Sequence, residues 1–140
     1  MPLQFTLTAN PSPQDRQVLE DGLYEFNRRQ VGKDDGQLLA IFLRDAQGEI
    51  VAGLSGWTWA GACQIQAVWV HPDYRGQGCG RRLMQAAEEE ARARGAGFVV
   101  LSTYDFQAHV FYQKLGYEVE CRIEDFPPGH SRLHLRKQLA

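Results

Sequence analysis

Glycine stands at every second position of Arg75-Gly-Gln-Gly-Cys-Gly80, between the β-branched and aromatic run Val68-Trp-Val70 and a helical segment that begins near Arg81. A strand, a glycine loop and a helix in that order leave bare backbone that another group can approach closely. The first N–H groups of the helix lack internal acceptors and carry the positive end of its dipole, so an anion is their natural occupant. Spacing decides among phosphate ligands. The dinucleotide fingerprint G-x-G-x-x-G fails, because its last glycine falls on Arg81 counted from Gly76 and on Leu83 counted from Gly78. The nucleoside triphosphate loop fails as well, since no Lys followed by a hydroxyl comes after Gly80.

The elements that must hold this loop follow from period and punctuation. Phe5 to Thr8 alternates and reads as a short strand, and Asn10-Pro-Ser-Pro13 is a turn whose Asn10 or Ser12 caps an amphipathic helix over 14–27. Leu38 to Leu43 and Ile50 to Trp59 form a hairpin about Asp45-Ala-Gln-Gly48, and Cys63 to Val70 completes an antiparallel meander that delivers the chain to the loop. Beyond it Leu83, Met84, Ala87 and Ala91 line one helix face, with Glu88–Arg92 and Glu90–Arg94 as i,i+4 pairs and Gly95 as the stop. The continuous apolar run Phe98 to Leu101 reads as a strand buried on both faces and parallel to the one before the helix. A short helix over 106–115, a strand over 117–123, a Pro127-Pro-Gly129 turn and a strand over 133–139 follow. The expected class is α/β, a mixed, mainly antiparallel sheet with a central parallel βαβ unit.

Composition narrows the function. The chain has 140 residues, 44% of them hydrophobic, enough for one domain, 1–140, with an ordinary core. A net charge of −2 with dispersed Lys and Arg excludes the basic stripe of a nucleic-acid or anionic-membrane binder. Neither a leader nor a membrane span is evident, and the location expected is cytoplasmic. The three cysteines show no C-x-x-C pairing and the four histidines no ligand spacing, so neither a disulfide framework nor a metal site is expected.

The loop matches the pattern [RQ]-x-x-G-x-[GA], and the chain is thereby similar to the GNAT superfamily of N-acetyltransferases. The stretch Asp105-Phe-Gln-Ala-His-Val-Phe-Tyr-Gln-Lys-Leu-Gly-Tyr117 extends the likeness, following the family pattern N-x-x-A-x-x-[LF]-Y-x-K-x-G-[FY] with Asp105 in place of Asn, and resembles a bacterial subgroup. The resemblance implies the acyl-CoA N-acyltransferase fold, acetyl-CoA as cosubstrate, no metal, and direct attack by an amine in a ternary complex. It implies that Ala67, Val68, Trp69 and Val70 offer backbone to the pantetheine arm. Arg75, Gly76, Gln77, Gly78, Cys79, Gly80 and Arg81 would hold the pyrophosphate, with Ser102, Asp105 and Gln107 near the pantetheine. Cys79 then stands at the phosphate end of the cofactor and reads as a small residue rather than a nucleophile. Tyr112 is the implied acid: a phenol with a reference pKa of about 10 stays protonated at neutral pH and can donate to a departing thiolate. No base is evident, because the strand position where some relatives carry Glu holds Gln64 or Gln66; a water relay to Asp21, Glu25 or a main-chain carbonyl is the expectation.

The acceptor side is read from the residues. Trp57 and Trp59 lie two apart and share one strand face, and with Asp21, Tyr24 and Glu25 they would compose an aromatic, acidic cleft for the amine of a small molecule or peptide. Sheet packing or a homodimer surface accounts for the tryptophans equally well. A non-catalytic acyl-CoA sensor is the alternative function.

Overall fold

The computed structural model describes residues 2–139, and these fall into two compact units, Met1–Asp34 and Asp35–Ala140. Unit one is built on α1 (Pro13–Val31). Proline at its first turn costs no hydrogen bond there, the Ser12 hydroxyl accepts from Asp15 N–H at 3.0 Å, and Gly32, left-handed at φ 75°, closes the far end. The helix runs four residues past the expected Asn27, because Arg28 and Arg29 pair with Glu25 across its last turns. It buries no residue, and Val18, Leu19, Leu23 and Phe26 are exposed. The expected strand at Phe5–Thr8 is absent: the described residues of unit one hold no strand to pair with, and Phe5 and Leu7 are 93% and 86% exposed. Alternation alone does not supply a ladder partner.

Unit two is a six-stranded sheet with β1 (Gln37–Arg44), β2 (Ile50–Trp59), β3 (Ala62–Val70), β4 (Phe98–Tyr104), β5 (Glu118–Glu124) and β6 (Ser131–Gln138). Its order is β1-β2-β3-β4-β6-β5, antiparallel throughout except for the β3–β4 pair. Helix α2 (Cys79–Ala93) makes the crossover between those two strands, and α3 (His109–Lys114) follows β4. The expected class holds.

One sheet face meets α2 to form the core: Leu39, Leu54, Cys63, Ile65, Val99, Leu101, Leu133 and Leu135 pack with Leu83, Met84, Ala87 and Ala91. β4 alternates buried and half-buried residues, so only one of its faces is in the core and the expectation of burial on both is corrected. Glu88 does not pair with Arg92 as expected. It is buried, accepting from Tyr117 Oη at 2.9 Å and pairing with Lys137 Nζ at 2.7 Å, whereas the exposed Glu90–Arg94 pair does form at 3.3 Å. This carboxylate ties α2 to β6 and to the end of α3. Burial, then Glu88, pushes the Tyr117 phenol far above its ordinary range, so it stays a donor. No helix among the described residues is long and apolar enough to cross a membrane.

Candidate active site

The site begins where β3 and β4 part. Their parallel pairing covers only Ala62–Phe98, Cys63–Val99 and Gln64–Val100, yet β3 continues to Val70 and β4 to Tyr104. Beyond Gln64 and Val100 each strand keeps its outer neighbour and turns an edge without a strand partner toward the gap. A bulge explains the parting. In the β2–β3 ladder Ser55 faces Ala67 and Gly56 faces Ile65, so Gln66 is an extra residue, and a bulge bends its strand. Gly56 permits it, since a Cβ there would lie 2.1 Å from the Gln64 carbonyl oxygen.

The gap opens into a groove of about 680 Å³ that continues to the start of α2. Its walls are Val68, Trp69, Val70, Tyr74, Arg75, Gly76, Gly78, Cys79, Gly80, Arg81, Phe106, Gln107, Ala108, Phe111 and Tyr112. Gly78 caps α2 in a left-handed conformation, φ 82°, with no side-chain hydrogen bond to the helix start. A Cβ at Gly76 or Gly78 would meet nothing within 4 Å, so space stands open above the free N–H groups. Gly80 differs: its Cβ would come within 3.2 Å of the Phe111 ring, so this glycine lets α2 and α3 close on one another.

Most of the sequence-derived cofactor residues converge on this groove, and four do not line it. Gln77 donates to the Asp73 carbonyl at 3.1 Å. Ala67 faces a small apolar hollow with Phe42, Ile50 and Trp69. Ser102 accepts from Arg132 at 2.7 Å. Asp105 accepts from Ser131 N–H and contacts His130 Nδ1, both at 2.9 Å. The replacement of the family's Asn thus has a local reason: a carboxylate joins the end of β4 to the turn before β6. Burial raises the Asp105 pKa, but the Ser131 and His130 hydrogen bonds outweigh it and hold the carboxyl below its ordinary value. Gln107 lines the groove, but its side-chain oxygen is taken by Thr103 Oγ1 and Tyr104 N–H, leaving its amide nitrogen for a ligand.

Tyr112 lies buried in the groove wall on α3, and burial raises its pKa. Its neighbours Phe111 and Tyr117 meet its ring edge-on at 5.2 and 6.0 Å and fix its position. Burial pushes the Cys63 thiol up to about 11, so it is inert core, whereas Cys79 borders the groove. Tyr74, Phe106, Ala108 and Phe111 were missed as groove residues. Phe111 stands next to Tyr112 in the same motif, which was the available signal; Tyr74 depends on the turn after β3, and Phe106 and Ala108 on the loop after β4. That loop also corrects the helix over 106–115, which starts only at His109 because Gln107 caps the strand end instead.

The acidic residues expected at the acceptor side have local partners. Both Glu25 oxygens are engaged by Arg28 and Arg29. Arg28 first, with Arg29 and against burial, holds that carboxyl below its usual range, which makes it a poor proton acceptor. Asp21 accepts from Gln17 and Tyr24 donates to Asp34. Trp57 and Trp59 stand half-buried on the sheet face away from α2. No group of three His, Cys, Asp or Glu residues that could hold a metal occurs among the described residues.

Two parallel strands splayed above a helix start that no side chain caps, in a mixed sheet, define an acyl-CoA acyltransferase fold. The chain belongs to the acetyltransferase (GNAT) family, whose model matches residues 5–117. It is 36% identical over 107 residues to blasticidin-S acetyltransferase of Streptomyces morookaense, covering 74% of this chain and 76% of that one. It is 28% identical to an acetyltransferase of Agrobacterium fabrum over 97% and 99% of the two chains. A crystal structure of an acetyltransferase from Bacillus cereus superposes with a TM-score of 0.79 at 25% identity, covering 96% and 98%.

Proposed function

We propose that the chain, acting as one domain, transfers the acetyl group of acetyl-CoA to a primary amine of a small molecule or peptide in a ternary complex. The observation that carries this is the continuity of the groove, which joins a helix start suited to phosphate with strand edges suited to an extended amide-bearing arm. The name of the Streptomyces relative supports a small-molecule acceptor. In the reaction the neutral amine nitrogen bonds to the thioester carbonyl carbon and the C–S bond breaks; the proton on nitrogen passes to water, the thiolate takes one from Tyr112, and water returns a proton to the tyrosinate. Raised by burial, that phenol is protonated at neutral pH.

A melting series tests the cofactor. Acetyl-CoA at a hundred times its dissociation constant adds about 2.7 kcal/mol of stability, while NAD adds far less. Equal shifts would overturn the assignment. Release of CoA thiol on adding amines then separates the transferase from a sensor, which binds acetyl-CoA and releases none.

A further inference from the structure

Among the described residues Arg132 has no ion-pair partner, and its partly buried guanidinium lies against β4, the strand that borders the gap. Ser131, Leu133 and Leu135 turn into the core, so Arg132 lies on the opposite face of β6, in register with Tyr104. Its guanidinium stacks over Tyr104 at 5.2 Å and Phe126 at 5.5 Å and donates to Tyr104 Oη at 3.1 Å and Ser102 Oγ at 2.7 Å. Neighbouring carboxylates have other partners: Asp105 pairs with His130 and Ser131, Glu124 with Ser131 and Arg122, Glu120 with Arg136, and Asp125 accepts from Gly129 N–H. Two of the five guanidinium donors are used, by neutral oxygens. An unpaired, partly desolvated charge is costly, and a planar fork packed against two rings and held by two hydrogen bonds has already lost part of the freedom that binding would remove.

The position suits the acceptor rather than the cofactor. Ser102 and Tyr104 project from the part of β4 that has lost β3, on the face away from α2, and neither they nor Arg132 line the groove. β6 lies one strand spacing, about 5 Å, beyond β4, but the Arg132 guanidinium reaches back to Ser102 and Tyr104 of β4, the strand that borders the gap, so an amine and an acid group on one small molecule can span from the gap to the fork. We propose that Arg132, with Ser102 and Tyr104, binds a carboxylate of the acceptor, so that the substrate is an amine of amino-acid or short-peptide kind that carries its own acid group. This rests on the acetyl-transfer reading above.

The test compares amines matched except for the carboxylate, with acetyl-CoA as donor: L-phenylalanine against 2-phenylethylamine, L-tryptophan against tryptamine, and glycylglycine against its amide. A charge-assisted fork supports a preference of about tenfold or more in kcat/KM for the acid-bearing member. Arg132→Gln should bring that ratio close to one, chiefly through KM, and Arg132→Lys, which keeps the charge without the fork, should fall between and serves if the Gln variant does not fold. Binding supplies a readout free of turnover: with CoA present, N-acetyl-L-phenylalanine raises the melting temperature of the parent and not of the variant. No preference and no shift with any acid-bearing probe overturns the proposal. So does a variant that weakens acetyl-CoA as much as the acceptor, since the guanidinium then serves the cofactor. Failure of acetyl-CoA to bind the parent at all would instead sink the transferase reading.

Discussion

At the scale of single residues, the groove wall is distinct from the frame that holds it, and Tyr112 and Asp105 stand on either side of that line. Tyr112→Phe keeps the ring contacts to Phe111 and Tyr117 and deletes the hydroxyl. A general acid is worth about a hundred- to ten-thousandfold, so turnover should fall by that order while acetyl-CoA affinity changes little. An activated aryl thioester, whose thiolate leaves with less help, should regain much of the rate; equal slowing of both thioesters would make Tyr112 a positioning group. Asp105 is framework. Its carboxyl titrates lower in the fold than in the unfolded chain, so its stabilisation is complete above the ordinary carboxylate range and is lost as pH falls through the lowered value. The melting temperature of the parent should therefore drop more steeply below about pH 4 than that of Asp105→Asn. Parallel curves would show that the Ser131 and His130 contacts carry no net stabilisation. That Gly76, Gly78, Gly80 and Tyr112 line one groove was legible in the sequence, the glycines through their alternate spacing before a helix and Tyr112 through its motif. Arg132 was not, because an arginine in an alternating strand looks like any solvated one until its register opposite Tyr104 is known.

At the scale of elements, the meander, the crossover helix and the last two strands were legible because period 2 and period 3.6 differ sharply in this chain, and boundaries moved by only a few residues. What the pattern did not carry was the parting of β3 from β4, which depends on one inserted residue, Gln66, and one close approach, at Gly56. A glycine inside a strand pattern is the available hint, since it often marks a bulge. Gly56→Ala should force Cβ into the Gln64 carbonyl, at a cost at or above the roughly 1–3 kcal/mol of ordinary overpacking. If the sheet escapes by losing the bulge, β3 straightens against β4 and the groove narrows. Acetyl-CoA affinity should then fall together with the denaturant midpoint. A variant of unchanged stability and affinity would show that the bulge does not need the glycine. Glu88 teaches the complementary lesson: its i,i+4 spacing to Arg92 was real, but burial against Lys137 and Tyr117 offers a stronger partner than a solvated arginine.

At the scale of the whole molecule, the two units differ in what holds them. The sheet unit has a continuous core reaching from Leu39 to Leu135 and a buried carboxylate pinning α2. Helix α1 rests on its Ser12 cap, its Gly32 closure and the Glu25 pairs, and exposes Val18, Leu19, Leu23 and Phe26. Caps and solvated ion pairs contribute little beside a packed core, and in proteins most helical stability comes from packing an amphipathic face. Amphipathic spacing was legible, then, but spacing states only which face would be buried, not that something covers it. Native-state hydrogen exchange measures the difference, because an amide is protected by the free energy of the opening that exposes it. Amides at Leu54, Leu101 and Leu133 should exchange only on global unfolding, with the denaturant dependence of the whole sheet. Those over 16–30 should exchange orders of magnitude faster and with little denaturant dependence, since their opening exposes almost no new surface. If α1 proves as protected as the sheet and shares its denaturant slope, its apolar face is covered in solution, and the stability of the helix is tertiary rather than its own.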